Sequence, residues 1–521
     1  MDLDERLLKS IAKLGWVEPT LIQERAIPLL LDGKDVLMRA RTGSGKTGAF
    51  AIPFIQKILT INEQSDERNI RALILAPSRE LCHQLFTNFM QLSPKSVDSI
   101  RVVDISPQLD VSAQRPLLQN MPDIVVATPA RAVLHLKAGT LSLKSLKFLV
   151  IDEADLVFSF GHEENIKEVI KYLPRIYQAA LASATLSDDV ISLKKLFLHN
   201  TVTLRLQEPD IAPVSQLVHY WMPAEEELKA TTLYTILKLQ LVRGKTIVFV
   251  NTVDKCYKLK LFLEQFGLKS CVLNSELPSV IRCHSVSQFN SGVYDIIIAS
   301  DELALEKPGI VPQSSNTNKK RSDHRKKDKE SGVSRGIDFQ FVSNVINFDF
   351  PLDTNSYVHR VGRTARGVNK GTAISFVSVQ EMLLKEAVDE YLMGVFFSKE
   401  SVFKRFELKT EELEGFRYRT RDAWRSVTKI AVREARLKEI KQEMLNNQKL
   451  KGYFEDNPRD MKTLRHDKAL HTVRVQPHLA NVPDYLIPPS LKRVVDIDKV
   501  RPPAKKCKQN AGIKPKYKVR F

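Results

Sequence analysis

The chain has 521 residues, 43% of them apolar, which is enough for two or three domains with ordinary buried cores. A formal charge of +18, from 79 Lys+Arg against 61 Asp+Glu, favours a polyanionic partner over a small acidic substrate; the plainer alternative is a basic protein whose charge only keeps it dispersed. Five scattered cysteines without a C-x-x-C pair read as reduced thiols of an intracellular protein, no apolar stretch reaches the ~18 residues that span a bilayer, and Met1-Asp2-Leu3-Asp4-Glu5 is no secretory leader, so neither secretion nor a membrane span is expected.

In chain order, residues 1–206 read as one α/β domain. Candidate strands run Asp35 to Met38, Ala72 to Ala76, Ile124 to Ala127, Phe148 to Ile151 and Ala179 to Ala182, each an apolar run ending at polar or Gly/Pro residues. Such runs alternating with helices predict a parallel sheet, whose ligands bind beyond the carboxyl ends of the strands. The polar motifs lie there. Ala40-Arg41-Thr42-Gly43-Ser44-Gly45-Lys46-Thr47 follows the first run, and Asp152-Glu153-Ala154-Asp155 follows the fourth. A phosphate cradle with strand-end carboxylates is what magnesium-ATP chemistry requires. The glycines let backbone N–H groups close on phosphate oxygens, Lys46 adds a point charge, and Thr47 and Asp152 are the candidate metal ligands. Taken singly, the first segment is also readable as a Gly/Ser turn and the second as a solvated turn; found together and in this order, those readings lose.

A Pro-punctuated stretch, 207–223, reads as a linker, and the strand rhythm then resumes over 224–395 with Thr246 to Val250, Ser270 to Leu273, Asp295 to Ala299, Asn344 to Phe348 and Thr372 to Val377. A Lys/Ser/Asn-rich insert at 302–334 cannot bury enough apolar surface to order itself. Its 33 residues interrupt a motif, yet lengthening a loop roughly elevenfold costs only about 2 kcal/mol of closure entropy. The C-terminal extension, 396–500, contains a helical pattern from Arg421 to Leu450: Val427, Ile430, Leu437, Ile440 and Met444 on one side, and a basic stripe of Arg425, Lys429, Arg433 and Arg436. The stripe is either a solvated face of a docked helix or an auxiliary grip on the polyanionic partner. The tail, 501–521, carries eight Lys/Arg and no acid, and reads as a phosphate tether and nuclear-import handle or as a solubilising segment.

Further segments complete an ordered set: Gly15 with Pro19-Thr20-Leu21-Ile22-Gln23, Pro77-Ser78-Arg79-Glu80-Leu81, Thr128-Pro129-Ala130-Arg131, Ser183-Ala184-Thr185, Arg335-Gly336-Ile337-Asp338 and His359-Arg360-Val361-Gly362-Arg363-Thr364-Ala365-Arg366. Over roughly residues 6–380 this series resembles the DEAD-box ATP-dependent RNA helicase family, and parts of 415–486 resemble its nucleolar branch linked to large ribosomal subunit assembly. The resemblance implies two tandem RecA-like domains, ATP with Mg2+, and an RNA-stimulated ATPase that remodels RNA or RNA–protein contacts in the nucleolus. It further implies pre-ribosomal RNA and particle proteins as partners and no membrane; the oligomeric state is left open, with a monomer favoured. It implies adenine recognition by Thr20 and Gln23, phosphate contacts from Thr42 to Thr47, and ribose contact by Asp338. Lys46, Asp152, Glu153, Arg363 and Arg366 become the catalytic set, with the two arginines as fingers from the second domain. RNA contacts fall to Arg79, Thr128, Arg131, Arg282 and Ser300, and coupling between motifs to Asp155, Ser183, Thr185, His359 and Arg360. The chain departs from the family at Ser279 and Ser300, where Gln and Thr are usual, and it starts too late to contain the family's upstream adenine-stacking Phe. An ATP-gated RNA clamp or scaffold with little unwinding is the rival reading, and a DNA-directed motor a weaker third.

Overall fold

The computed structural model describes residues 3–41, 43–64, 67–94, 100–107, 109–159, 161–186, 188–199, 201–206, 211–300, 339–366, 369–406, 408, 410–446, 448–466, 479, 481–483 and 486. Thr42, Asp338 and the tail lie outside them, as does the insert.

The first domain runs α1 (Glu5–Lys13), α2 (Leu21–Leu31), β1 (Asp35–Arg39), α3 (Lys46–Gln64), β2 (Ala72–Leu75), α4 (Arg79–Leu92), β3 (Val102–Asp104), α5 (Val111–Gln119), β4 (Ile124–Ala127), α6 (Pro129–Lys137), β5 (Phe148–Ile151), α7 (Ala154–Ser159), α8 (Glu163–Ile170), β6 (Gln178–Ser183), α9 (Asp188–Phe197) and β7 (Thr201–Arg205). Its sheet has the order β3-β4-β2-β5-β6-β1-β7, with every pairing parallel. Alternate residues of each strand enter different apolar layers: Val36, Met38, Ile74 and Val150 on one face, Leu37, Leu73, Leu149 and Ile151 on the other. Burial on both faces is why these strands read as continuous apolar runs. Because β5, β6 and β1 are neighbours, the segments leaving their carboxyl ends emerge side by side.

The second domain runs β8 (Leu217–Pro223), α10 (Glu226–Lys238), β9 (Lys245–Val250), α11 (Val253–Gln265), β10 (Ser270–Leu273), α12 (Ser279–Asn290), β11 (Ile296–Ser300), β12 (Val342–Asn347), α13 (Thr354–Val361), β13 (Gly371–Val377), α14 (Met382–Phe396) and β14 (Phe403–Arg405). Its sheet order is β10-β11-β9-β12-β13-β8-β14, again parallel.

The linker expected at 207–223 is therefore too long. Leu217 to Pro223 pair in register with Gly371 to Val377 inside the sheet, and the proline falls on the last strand residue. The extension is also less separate than expected. β14 adds to the sheet edge, and α15 (Thr410–Ser426) contributes Leu413, Phe416 and Ala423 to the same core as Leu233, Tyr234 and Phe262. Trp424 meets Phe262 edge-on at 5.4 Å and carries the Lys258 ammonium 4.1 Å from its ring centre.

The helical pattern from Arg421 to Leu450 breaks at Val427-Thr428, giving α16 (Lys429–Asn446), α17 (Gln448–Asp456) and α18 (Pro458–His466). Its apolar side is not the buried one. Val427 is buried, but Ile430, Leu437 and Met444 are exposed, and α16 packs through the smaller Ala431, Val432 and Ala435. Polar pairs fix that rotation. Glu439 accepts from Tyr257 Oη at 2.9 Å and Lys260 Nζ at 2.8 Å, while Arg436 pairs with Asp254 at 3.1 Å and with Glu276.

Two buried histidines make the domains acid-sensitive. His135 bonds Thr140 at 2.9 Å and Gln114 at 2.9 Å, and His219 bonds Tyr357 Oη at 2.8 Å. Burial pulls both imidazoles from the ordinary 6.5 to about 4, with Arg131 adding to the effect at His135 and Asp389 opposing it at His219. A pKa lower in the folded than in the unfolded chain gives stability that is present above 6.5 and lost as pH falls toward about 4. Melting temperature is expected to fall through that window, and less steeply in His135→Gln. Identical slopes for that variant and the parent would remove His135 from the account.

Candidate active site

The loop from Ala40 to Lys46 is closed by its own residues. Lys46 Nζ donates to the Ala40 carbonyl at 2.8 Å, and Ala40 N–H extends the β1–β6 ladder by bonding Ser183 O at 3.2 Å. Gly43 and Gly45 have φ of +80° and +94°, which side chains resist, whereas Ala40 has no positive φ and so does not need to be glycine. The Ser44 hydroxyl is buried with no hydrogen-bond partner among the described residues. A cradle with an unpaired donor at the start of α3 suits phosphate oxygens. Thr47 stands in the first helical turn beside Lys46, half-buried.

Thr20 and Gln23 form a capping box that begins α2: Thr20 N–H donates to Gln23 Oε1 at 3.0 Å, and Gln23 Nε2 reaches across to the Gly45 carbonyl at 3.2 Å. A side chain on Gly48 would come within 2.6 Å of Gln23 Nε2 and 3.0 Å of the Trp16 ring. The sequence reading missed Trp16. It stands seven residues before Gln23 and walls the glutamine's side of the loop.

Asp152 and Glu153 follow β5 directly, both almost fully buried, with Glu153 at φ +46°. A left-handed non-glycine residue at such a place is strain held by its surroundings. Glu153 N–H donates to Asp152 Oδ1 at 2.9 Å, and Lys46 lies 3.8 Å from Glu153 Oε1. Burial raises both carboxyls, Asp152 to about 7; Glu153 adds to the shift at Asp152, and Lys46 opposes it at both. Two buried acids beside one lysine are short of positive charge, the electrostatic setting that a divalent cation relieves, and Asp152 and Thr47 offer the oxygen ligands such an ion prefers. Asp155 accepts from Ser183 Oγ at 3.0 Å and Thr185 Oγ1 at 3.4 Å, tying the segments after β5 and β6 together.

The second domain reaches this loop. The aliphatic part of Arg366 lies 2.8 Å from where a Gly43 side chain would start, and Arg363 and Arg366 both exert charge on Glu153. Their turn depends on Ala365 at φ +54°, with Arg363 Nε bonded to the His359 carbonyl and Arg366 Nε to the Gly362 carbonyl, each at 3.2 Å. Arg360, expected to couple the domains, has several of its contacts on the second domain, donating to Asp349 O at 2.9 Å and Asn251 Oδ1 at 2.8 Å and lying over Phe249. These bonds join α13 to the segments that follow β9 and β12.

The five residues expected to grip RNA are all nearly buried: Arg79, Thr128, Arg131, Arg282 and Ser300. Thr128 caps α6 by accepting from Arg131 N–H at 3.4 Å. The Arg131 guanidinium bonds the carbonyls of Ile105 at 3.3 Å and Leu109 at 2.8 Å and the Gln114 amide. Ser300 ends β11 with its hydroxyl buried and without a hydrogen-bond partner among the described residues. Arg282 is paired across the two domains. Its Nε and a terminal nitrogen both donate to Glu80 Oε1 at 2.9 and 2.5 Å, joining α12 to α4 across the domain boundary. What remains near these positions for a phosphate backbone is the starts of α4, α6 and α12, whose N–H groups and dipoles favour anions.

Glu80 was not singled out by sequence, because its partner lies 202 positions away. Breaking a buried ion pair on one side costs about 3–5 kcal/mol, and this pair forms only when the domains meet. Glu80→Ala is therefore expected to lower the closed population, read by interdomain fluorescence transfer, about tenfold or more, with little change in the melting of the isolated domains. Unchanged transfer would show that the pair does not hold closure.

Residues 20–193 match the DEAD/DEAH box helicase family and 228–368 the helicase conserved C-terminal domain. The chain is 44% identical to the ATP-dependent RNA helicase dbp9 of Aspergillus oryzae, over 95% of this chain and 86% of that protein. It is 42% identical to DBP9 of Saccharomyces cerevisiae, over 94% and 89%. Among solved structures it resembles S. cerevisiae Dbp5 bound to RNA and ADP BeF3, with TM-score 0.61, 26% identity and coverage of 81% and 98%. It also shares the fold of Mss116p bound to ssRNA and AMP-PNP, with TM-score 0.62, 21% identity and coverage of 91% and 95%. A phosphate loop, strand-end acids and two arginines meeting at one cleft, on tandem parallel sheets and with relatives of this identity, have one explanation: the chain belongs to the DEAD-box family of ATP-dependent RNA helicases.

Proposed function

We propose that ATP and single-stranded RNA bind when the two domains close, and that closure bends the strand so that short duplexes or RNA–protein contacts come apart, in assembly of the large ribosomal subunit within the nucleolus. The observation that carries the ATPase reading is the approach of Arg366 to Gly43 across the cleft, with Arg363 beside Glu153. Trp16 and Gln23 would wall the adenine, and Asp152 with Thr47 would hold Mg2+. The ion supplies charge neutralisation at the phosphates. Glu153 is placed to orient or deprotonate the attacking water, and the two arginines to meet the charge on the transferred phosphoryl group. Backbone recognition at helix starts is blind to sequence, which suits remodelling of varied sites.

The ribosomal assignment rests on resemblance of the C-terminal segments, such as Tyr453-Phe454-Glu455-Asp456-Asn457-Pro458-Arg459-Asp460, to the nucleolar DEAD-box helicase 56 subfamily. Pre-ribosomal RNA and particle proteins are the proposed partners, and residues 501–521 the tether and import signal. In-cell crosslinking of the full chain and of one lacking 501–521 tests this. Pre-ribosomal RNA should dominate the bound fragments, with less recovered by the shorter chain, whose binding should also lose ~0.7 of salt slope per phosphate contact. Fragments drawn mainly from messenger RNA would sink the assignment, and a binding-competent chain that never separates short duplexes would favour the clamp.

A further inference from the structure

Helix α16 turns an apolar line toward solvent. Ile430, Leu437 and Met444 are 51%, 41% and 38% exposed and stand seven residues apart, the repeat that keeps one seam of a helix facing a second helix. Single exposed apolar side chains are ordinary; three in register along one helix mark a contact surface. The line is not a consequence of loose docking. On its opposite side α16 is fixed to α11 and the loop before α12 by Glu439 with Tyr257 and Lys260, and by Arg436 with Asp254 and Glu276.

The charges beside the line select its occupant. Lys429 and Arg433 are exposed along one side and Lys441 is half-buried on the other, with Glu434 the acid among the described residues of this face. We propose that this face docks an amphipathic helix of a partner protein, one with apolar residues at heptad spacing flanked by Asp and Glu. A second copy of this chain is a poor occupant, because its own α16 would set Lys429 and Arg433 against like charges. RNA would satisfy the basic residues and leave Ile430, Leu437 and Met444 in water. The surface uses none of the phosphate-loop residues and neither arginine, so it stands or falls separately from the ATPase reading.

The test uses the full chain and a labelled synthetic helix of about four heptads, with leucine at the core positions and glutamate beside them. The parent should bind it about tenfold or more tightly than Leu437→Glu/Met444→Glu, and more weakly as salt rises. The variant should keep the parent's melting temperature, RNA affinity and RNA-stimulated ATPase. Equal binding of the peptide by both chains overturns the proposal. So does a variant that loses RNA affinity while keeping the peptide, which assigns the face to RNA. A parent that dimerises through these residues assigns it to a second copy, and a variant that melts much earlier assigns the line to the core; either outcome also overturns it.

Discussion

Lys46→Ala or Glu153→Gln is expected to remove ATP turnover while RNA binding persists. Lys46 is buried, bonded to the carbonyl that closes the phosphate loop and 3.8 Å from Glu153. Its loss removes a cation beside two buried acids and the point charge for the phosphates, so ATP affinity should fall as well. Glu153→Gln keeps the shape but loses the basicity and the negative charge that faces Lys46, so nucleotide should still bind while hydrolysis drops by about 10²–10⁴-fold, the range for removing a general base. Neither residue is among those near α4, α6 and α12, which is why RNA affinity should survive. Wild-type turnover in either variant would place the chemistry elsewhere.

Arg363→Ala should lower turnover by up to ~10³-fold or more, the range for arginine fingers, with little loss of ATP affinity. The prediction has a structural competitor. Arg363 is 1% exposed and bonds the His359 carbonyl, so its removal also disturbs the turn at Ala365. The two accounts separate in the readout: turnover per folded molecule at saturating ATP falls if Arg363 acts on the phosphate, whereas only melting temperature falls if it holds the turn. A variant that melts early and hydrolyses normally per folded molecule would reduce Arg363 to a structural residue.

The strands were largely legible because burial on both faces demands apolar runs. Ile124 to Ala127, Phe148 to Ile151 and Ser270 to Leu273 match their predicted spans residue for residue. β3 and β14 escaped because three residues at a sheet edge carry too little pattern, and β8 because its proline was taken as punctuation. The active-site loops were legible for a chemical reason: positive φ demands glycine, and phosphate demands Lys46 and a hydroxyl. The partners of Arg131 and Arg282 were not legible, since a guanidinium that faces solvent and one that bonds buried acceptors look the same in a sequence.

What the sequence determined by itself was the chemistry and the rhythm of the two domains, because those depend on residue type at short spacing: Gly43, Gly45, Lys46, Asp152 and Glu153 within their own segments, and strand and helix periods within each unit. The tertiary structure decided everything that depends on distant residues sharing one surface. It brought Arg366 onto Gly43 and Glu80 onto Arg282, enclosed Leu217 to Pro223 within the sheet, and rotated α16 so that its larger apolar residues face outward. Periodicity gives the helix an apolar side, but only the pairing of Arg436 and Glu439 with partners about 160 to 182 residues earlier fixes which side is buried.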